Sequence, residues 1–282
     1  MSKVQRAELA EEKQQGALLF GVRDPNIAVE RRRTVAVFSG RILFLLLILA
    51  IWQYYGSQPG GELSTSTPLH VIDAFINSIS DGTLSNDLGA TGIEVGLGFF
   101  LGAGGGLVLG GVAATSEFLA RVLDPYIIAI YGTPKIAFAP ILVVWLGIGL
   151  APKVALSALL VFFMVFYATY QGIRSVDPNR INALRLMGAG PMQLRRLVIF
   201  PGARSSIFLG LKLGVPQALV GAIVGEFISS TRGIGYSIQY ATTRLDTAAD
   251  FSGLLVLMTI SLILNGVVNA ASLKKGLSPH DV

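Results

Sequence analysis

Six stretches of this 282-residue chain are long and apolar enough to cross a membrane, and they constrain the fold more than any other feature of the sequence. A membrane-spanning helix needs about 20 apolar residues, because each residue advances it about 1.5 Å through a hydrocarbon core of about 30 Å. The apolar runs are continuous rather than alternating, so helices are predicted and not a β-barrel. The predicted spans are Val35–Tyr55, Gly89–Ala114, Pro125–Leu150, Val154–Gly172, Ser205–Ser229 and Phe251–Leu273.

Composition excludes the other common classes of protein. Charged residues make up 14% of the chain and hydrophobic residues 52%, whereas an average soluble domain carries about 25% charged residues. So little charge cannot cover a soluble surface, and so many apolar side chains exclude disorder. With no cysteine, a disulfide-stapled secreted fold is excluded as well. The sequence therefore predicts an all-α, polytopic membrane protein.

The third span is the least regular of the six. Pro134, Lys135 and Pro140 interrupt its apolar run. Proline inside a helix removes a hydrogen bond and bends or ends the helix. The chain here forms either one irregular span or an interfacial helix over 118–132 followed by a shorter span.

Basic residues are distributed unevenly along the chain. Eight of the 22 lysines and arginines precede Ile42, and seven lie from Arg174 to Lys212. Residues 56–88 contain none, although they carry four acidic residues. The net charge of +5 therefore reports membrane topology, and no nucleic-acid partner is expected.

The same distribution predicts the orientation of the chain. By the positive-inside rule, the N-terminal tail (1–34), the 174–204 loop and the C-terminal tail (274–282) are cytoplasmic, while residues 56–88 face outward. The predicted organisation is a transmembrane domain over 35–273 in the plasma (inner) membrane, between two cytoplasmic tails.

The outward segment contains one further predicted element. Between Thr67 and Ser80, apolar residues recur at helical spacing, which predicts an amphipathic helix on the outer surface. These residues are Leu69, Ile72, Phe75, Ile76 and Ile79.

Residues that carry enzyme chemistry are missing. No GxxxxGK[ST] phosphate-binding loop occurs, so no nucleotide is expected on this chain. His70 and His280 stand apart, and without cysteine there is no metal-ligand cluster. No histidine lies in a predicted span to activate a serine nucleophile. We therefore expect neither an enzyme nor a metal or cofactor site.

Glycine recurs every four residues along the second span, which leaves one helix face smooth enough for another backbone to approach closely. The stripe favours helix packing within one subunit, and a moving or dimeric interface is the alternative. The glycines are Gly98, Gly102, Gly106 and Gly110.

The 174–204 loop carries the most specific local signals. Asp177 followed by Pro178 is typical of a helix start, and Gly188 suits a left-handed helix end. Pro191 is predicted to begin a second short helix, which Pro201 ends before the next span. A basic amphipathic loop can lie on a lipid surface, but this fixed glycine and proline punctuation favours a rigid element that docks into a partner.

This loop resembles the EAA loop in permease subunits of bacterial ABC importers, with Asn182-Ala183-Leu184, Gly188 and Ile199-Phe200-Pro201 as its matching residues. The wider chain, over about 90–275, resembles permeases of the nitrate, sulfonate and taurine type. The matching blocks, in order, are WLGIG (145–149), SVDP (175–178), GEF (225–227) and GIGY (233–236).

The resemblance implies six helices per subunit, a homodimer of permeases, two cytoplasmic ABC ATPase subunits that bind ATP and Mg, and an extracytoplasmic solute-binding protein. It also implies alternating access driven by ATPase closure. Cargo in such permeases includes sulfonates, taurine, nitrate, bicarbonate, aromatic acids and pyrimidines. The residues expected to couple to the ATPase are Asn182, Ala183, Leu184, Arg185, Gly188, Leu194, Arg195 and Pro201.

The chain departs from the family pattern at two positions. Asn182 replaces the leading glutamate of the EAA motif, which puts an ion pair with the ATPase in doubt. Glu94 stands in the second span, where many sulfonate-type relatives have arginine. A carboxylate there costs up to about 3 kcal/mol at the bilayer centre. Glu94 therefore either reaches solvent near the outer interface or lines the translocation path, where it would disfavour a small inorganic anion.

Three more residues are candidates for the outer gate. Glu226, near the outer end of the fifth span, can cap a helix, pair with Arg232 or line the gate, and Gly233 and Tyr236 lie in the outer segment after it. The alternative function is an ATP-independent secondary transporter or channel. Such a protein would need an inverted repeat or several buried ionisable residues, and the sequence offers only Glu94.

Overall fold

The computed structural model describes residues 25–274, so the predictions on 1–24 and 275–282 lie outside the described residues. Ten helices follow one another along this part of the chain, with a single helical turn at Gly61–Ser64 and a 3₁₀ turn at Lys135–Phe138. They are α1 (Pro25–Gly56), α2 (Pro68–Ser80), α3 (Thr83–Thr115), α4 (Glu117–Gly132), α5 (Ala139–Leu146), α6 (Leu150–Arg174), α7 (Pro178–Leu186), α8 (Pro191–Ser229), α9 (Ile234–Thr243) and α10 (Thr247–Lys274).

Five of these helices are individually long and apolar enough to cross a membrane, and α4 with α5 forms a sixth, bent candidate. The all-α, six-span prediction is therefore confirmed for the described residues. Helices α3, α6 and α8 pack most extensively against one another and form the centre of the bundle. One end of the bundle carries exposed acidic residues including Asp73, Asp81 and Asp246, and we call it the acidic end. The opposite end carries α7 and is called the basic end.

The α3–α6 contact depends on the glycine stripe. All four glycines of the stripe are buried against α6. A Cβ at Gly106 would lie 2.9 Å from the Phe162 carbonyl oxygen, and one at Gly110 would lie 2.8 Å from that of Phe166. The absent side chains therefore let the two backbones touch. The stripe packs within one subunit, on the face that α6 covers.

Helix α8 is longer than the sequence predicts. Pro191–Leu194 continues through a π-helical turn at Arg195–Ile199 into Phe200–Ser229, so Pro201 does not end a helix, and that prediction is wrong. The wider π turn shifts the hydrogen-bond register, which places Pro201 in the first turn of the following α-helical segment. Proline is tolerated there because it has no N–H to leave unpaired.

The third span is a bent pair. Helix α4 and the segment Lys135–Leu146 meet at 86°, with Pro134 between them. Helix α4 covers residues 117–132, close to the 118–132 range considered for an interfacial helix. The buried Tyr170 hydroxyl donates a hydrogen bond to the Asp124 carboxylate, which holds α4 against α6.

Helix α1 lies apart from the bundle. It begins at Pro25, ten residues before the predicted Val35, and its membrane-length portion buries no side chain. The C-terminal part of α1 contacts the bundle at the acidic end. There Trp52 Nε1 donates a hydrogen bond to the Thr65 carbonyl oxygen at 3.1 Å, and the Trp52 ring packs on Phe251. The predicted amphipathic helix is present as α2, with Thr67 as its N-cap.

Candidate functional site

At the basic end, local sequence signals set the shape of the loop after α6. The Asp177 side chain accepts the Asn179 N–H at 2.9 Å and caps α7. Gly188 follows the helix with φ of 83°, a left-handed conformation that glycine adopts without strain. The Ala189 N–H then donates to the Leu184 carbonyl oxygen at 3.0 Å, which closes the turn. The loop is therefore a compact hairpin of α7 and the start of α8.

The tip of this hairpin exposes apolar side chains. Leu186 is 91% exposed and Met187 is 83% exposed. Met192 and Leu197, across the turn, are exposed as well. Large apolar side chains that protrude together from a rigid turn mark a contact surface more often than a solvated one. We call these four residues the apolar tip.

The residues predicted to couple to an ATPase lie on the surface of the hairpin, beneath that surface, or inside α8. Most lie on the hairpin surface, where Asn182, Ala183 and Arg185 are exposed. Leu194 is buried beneath it and lines, with Arg185 and Arg195, a groove of about 370 Å³ against the end of α6. Pro201 is separate from this group, because it lies inside α8.

A cluster of charged side chains is buried near the acidic end. Glu94 is 1% exposed and forms an ion pair with Lys153, which is 4% exposed. Lys153 Nζ also donates to Ser230 Oγ at 3.0 Å. Glu94 therefore does not reach solvent, which excludes the first of its two predicted roles, and its role in a translocation path stays a prediction. The side chain is buried because α3 and α6 pack closely enough to supply a lysine partner inside the bundle.

Glu226 completes this cluster from α8. It is 1% exposed, accepts the Thr91 hydroxyl at 2.6 Å and accepts the Gly235 N–H in the first turn of α9. A carboxylate at a helix N-terminus is favourable because it satisfies an unpaired N–H and the helix dipole. Of the three roles considered for Glu226, the structure shows the cap, and Arg232 is exposed and has no ion pair with it among the described residues.

Asp87, from α3, also holds the start of α9 in place through hydrogen bonds. Its carboxylate accepts the Gly233 N–H at 2.8 Å and the Ser237 hydroxyl. Gly233 has φ of 115° and lies against the Glu226 carboxylate, where a Cβ would lie 2.5 Å from Cδ. Only glycine fits this approach. Tyr236 is half-buried and stacks on Tyr240 at 5.9 Å.

The sequence reasoning missed three members of this cluster, which are Asp87, Thr91 and Lys153. A basic residue placed three positions into an apolar span, with an acidic residue in another span, is the signal that could have found the pair. In residues 25–274, no group of acidic or histidine side chains is arranged to hold a metal ion.

The cluster can hold the segment around Gly233 rigidly, since Asp87 and Glu226 fix the start of α9 against α3 and α8. With the exposed hairpin at the opposite end, the bundle is that of a polytopic helical membrane protein. Residues 106–273 match the family described as the binding-protein-dependent transport system inner membrane component, and the chain belongs to that family.

Individual relatives agree with this assignment. The formylaminopyrimidine transport permease ThiX of Halalkalibacterium halodurans is 29% identical over 83% of this chain and 91% of its own length. The taurine transport system permease TauC of Escherichia coli K12 is 29% identical over 88% of this chain and 90% of its own. The crystal structure of an amino acid ABC transporter with histidines superposes with a TM-score of 0.54, at 19% identity, over 71% of this chain and 98% of that one. The last likeness shows a shared fold.

Proposed function

We propose that this chain is the transmembrane permease subunit of an ATP-driven importer for a small organic or inorganic solute. Two copies pair in the plasma membrane, an ABC ATPase dimer carrying ATP and Mg binds the basic end, and a solute-binding protein docks at the acidic end. Both termini then face the cytoplasm. The family membership and the names of the taurine and pyrimidine relatives support this assignment.

The observation that carries the proposal is the apolar tip. Its side chains protrude from a turn that Asp177 and Gly188 hold rigid, beside exposed arginines. A lipid-surface helix needs no such fixed turn, whereas a partner with a matching groove does. Exposed apolar anchors ringed by charge are typical of specific protein interfaces.

In this mechanism the ATPase dimer closes on ATP binding and displaces the hairpin. Helix α8 begins in the hairpin and ends at Ser229, one turn after Glu226, so the displacement reaches the acidic end through one helix. The bundle then changes between two states that the partners stabilise differently. Hydrolysis of ATP returns the bundle to its first state.

A Gly188→Val substitution tests the role of the loop. Valine is β-branched and is strained at positive φ, at a cost of about 1–3 kcal/mol, so the hairpin should change shape while the spans remain folded. We expect insertion and homodimer formation to be unchanged, with ATP hydrolysis uncoupled from uptake in reconstituted vesicles. Gly111→Val is the control, because a Cβ at Gly111 meets nothing within 4 Å. Normal uptake by Gly188→Val would overturn the assignment of the loop.

Co-purification tests the proposed partner. A separate soluble protein with a phosphate-binding GxxxxGK[ST] loop should purify with the chain from its native membrane. Uptake by the purified chain alone, driven by an ion gradient without ATP, would instead establish a secondary transporter.

The absence of cysteine allows the orientation to be measured directly. Single variants Arg185→Cys and Asp81→Cys place one thiol at each end of the bundle. A membrane-impermeant maleimide added outside intact spheroplasts should label Asp81→Cys and leave Arg185→Cys unlabelled until the membrane is opened.

A further inference from the structure

The groove of about 370 Å³ at the basic end lies between the hairpin and the rest of the bundle. The ends of α3 and α6 and the first residue of α4 line one side, while α7 and the start of α8 line the other. No residue of the apolar tip lines it. The groove is therefore a separate surface from the tip, and it lies where a displaced hairpin would move against the bundle. We call it the hairpin groove.

Apolar side chains form the floor of the hairpin groove, and arginines form its rim. Ile173, Val176 and Leu194 are buried in the floor. Arg185 and Arg195 are exposed, and neither forms an ion pair with any residue of 25–274. An acidic partner would complement this rim.

The lining does not supply that partner. Glu117 is the one acidic side chain that lines the groove in the described part of the chain. Its carboxylate already lies 3.2 Å from Arg121 Nε and 3.8 Å from Arg174 Nη1. Three arginines against one glutamate leave the groove with a net positive charge.

The N-terminal tail enters on the side of the membrane where this groove lies. Helix α1 contacts the acidic end through Trp52 and begins at Pro25, so its start lies on the opposite side of the membrane. Residues 1–24 therefore lead into α1 on the side of the basic end. From Glu12, thirteen residues reach Pro25 and can extend over about 45 Å at about 3.3–3.6 Å per residue. That distance is about four helix diameters, so the tail can reach the hairpin.

The sequence of the tail carries the complementary charge. Glu8, Glu11 and Glu12 have the spacing that would place them on one side of a helix. Arg6 and Lys13 fall on the opposite side of the same helical projection. The tail thus offers an acidic side, although its acidic and basic residues are mixed along the sequence.

We propose that residues 8–12 of the N-terminal tail dock in the hairpin groove of the same chain, where their carboxylates pair with Arg185 and Arg195. The competing source of negative charge at this membrane surface is the headgroup of an anionic lipid. The tail is favoured because a tethered segment acts at a high effective concentration. An occupied groove holds the hairpin against the bundle and opposes its displacement.

Disulfide formation tests the docking directly, because the chain has no cysteine of its own. Gln15→Cys places a thiol on the acidic side of the tail, and Thr115→Cys places an exposed thiol in the groove. The control pairs Gln15→Cys with Arg121→Cys, which is exposed on the same end of the bundle but does not line the groove.

The full chain is oxidised mildly in phosphatidylcholine nanodiscs, and the disulfide is measured by mass spectrometry. We expect the groove pair to form at least about 10-fold faster than the control pair, which corresponds to about 1.4 kcal/mol of docking. Equal rates for the two pairs would overturn the proposal.

Charge reversal on the two sides of the tail tests the recognition. Glu8→Lys, Glu11→Lys and Glu12→Lys together should remove the rate difference, because the tail would then repel the groove. Arg6→Glu with Lys13→Glu is the matched control, since it changes the charge of the same tail and leaves its acidic side intact. Loss of the rate difference in both variants, or in neither, would contradict pairing with Arg185 and Arg195.

The same measurement identifies the other occupants. Replacing part of the phosphatidylcholine by phosphatidylglycerol should leave the rate unchanged, whereas a slower reaction would show that an anionic headgroup occupies the groove. A disulfide that links two copies of the chain would assign the groove to the tail of the second copy. Either result would overturn docking within one chain.

The restraint on the hairpin rests on the proposed function and has its own measurement. Deletion of residues 2–15 should raise ATP hydrolysis by the complex with its ATPase subunits about 5-fold, the lower end of typical coupling between sites. The tail variant with three lysines should show the same rise, and Arg6→Glu with Lys13→Glu should not. Unchanged hydrolysis would overturn the restraint. If no ATPase subunit binds the chain, the proposed function fails, while the disulfide rates still decide whether the tail docks.

Discussion

The two ends of the bundle differ in which side chains they bury: one buries charged side chains, and the other exposes apolar ones. At the acidic end, Glu94, Lys153 and Glu226 are buried, and partners from other helices surround them. At the basic end, Leu186 and Met187 protrude into solvent with nothing packed on them. The first arrangement is closed within one chain apart from Glu94 Oε2, which has no hydrogen-bond partner, whereas the second leaves large apolar side chains uncovered. Substitutions at the two ends should therefore separate folding from assembly.

The largest expected effect comes from breaking the buried ion pair. Lys153→Met leaves the Glu94 carboxylate buried without its cation, which typically costs about 3–5 kcal/mol. We expect low yield and a much lower thermal midpoint in detergent. The double variant Lys153→Met, Glu94→Gln should recover part of the loss, because Glu94 no longer carries a charge while the Glu226 carboxylate remains buried. A single variant as stable as the wild type would show that the pair does not support the fold.

The next effect comes from overpacking α3 against α6. Gly106→Val places a branched side chain where even a Cβ would lie 2.9 Å from backbone atoms of α6, and overpacking of this kind typically costs about 1–3 kcal/mol. Gly104→Ala is the matched control, because a Cβ there meets nothing within 4 Å. Thermal unfolding should distinguish the two variants, and equal midpoints would contradict the observed packing.

A third experiment changes the apolar tip at the basic end and separates its effect on stability from its effect on binding. Leu186→Asn with Met187→Asn replaces two apolar side chains that are 91% and 83% exposed, so the stability of the chain should change by no more than about 0.5 kcal/mol. Binding of the ATPase subunit, measured by co-purification, should nevertheless be lost or strongly reduced. If the double variant unfolds but still binds the ATPase, the apolar tip is a folding element and not an interface.

The smallest effect is a pH dependence at the start of α3. Asp81 is exposed, and its carboxylate accepts the Thr83 N–H at 2.9 Å, which holds the pKa of Asp81 below its ordinary value of 3.8. A lowered pKa means that ionised Asp81 stabilises the folded state above about pH 4 and loses this effect as the pH falls through the folded-state pKa. Asp81→Asn should thus lower the thermal midpoint slightly at pH 7, and the difference should vanish in acid. A difference that is independent of pH would exclude the charge as its cause.

Features that depend on neighbouring residues could be predicted from the sequence, whereas features that depend on residues far apart in the sequence could not. Local signals were sufficient at Asp177 and Gly188, because capping and positive φ depend on neighbouring residues. They failed at Pro201, where a π turn upstream changes the hydrogen-bond register and lets the helix continue. A pattern of apolar residues does not reveal such a shift.

The charged residues show the other limit. Glu94 and Lys153 are far apart in sequence, and only the glycine-mediated approach of α3 to α6 brings them together. The prediction that Glu94 in a translocation path would disfavour a small inorganic anion treated it as an unpaired charge, whereas the structure pairs it with Lys153. The sequence shows Lys135 only as an interruption of the third span, because its hydrogen bonds to the carbonyl oxygens of Tyr131 and Thr133 depend on the bend after α4.

The continuity of α8 has a geometric consequence. About 48 Å of helix, which includes the π turn at Arg195–Ile199 and the internal Pro216, separates Leu194 from Glu226 at about 1.5 Å per residue. A tilt of about 5° about one end therefore moves the other by roughly 4 Å. That displacement is longer than any hydrogen bond in the cluster around Glu226. A small rocking of this one rod is therefore enough to exchange one set of partners for another at its far end, with no change in the helix itself.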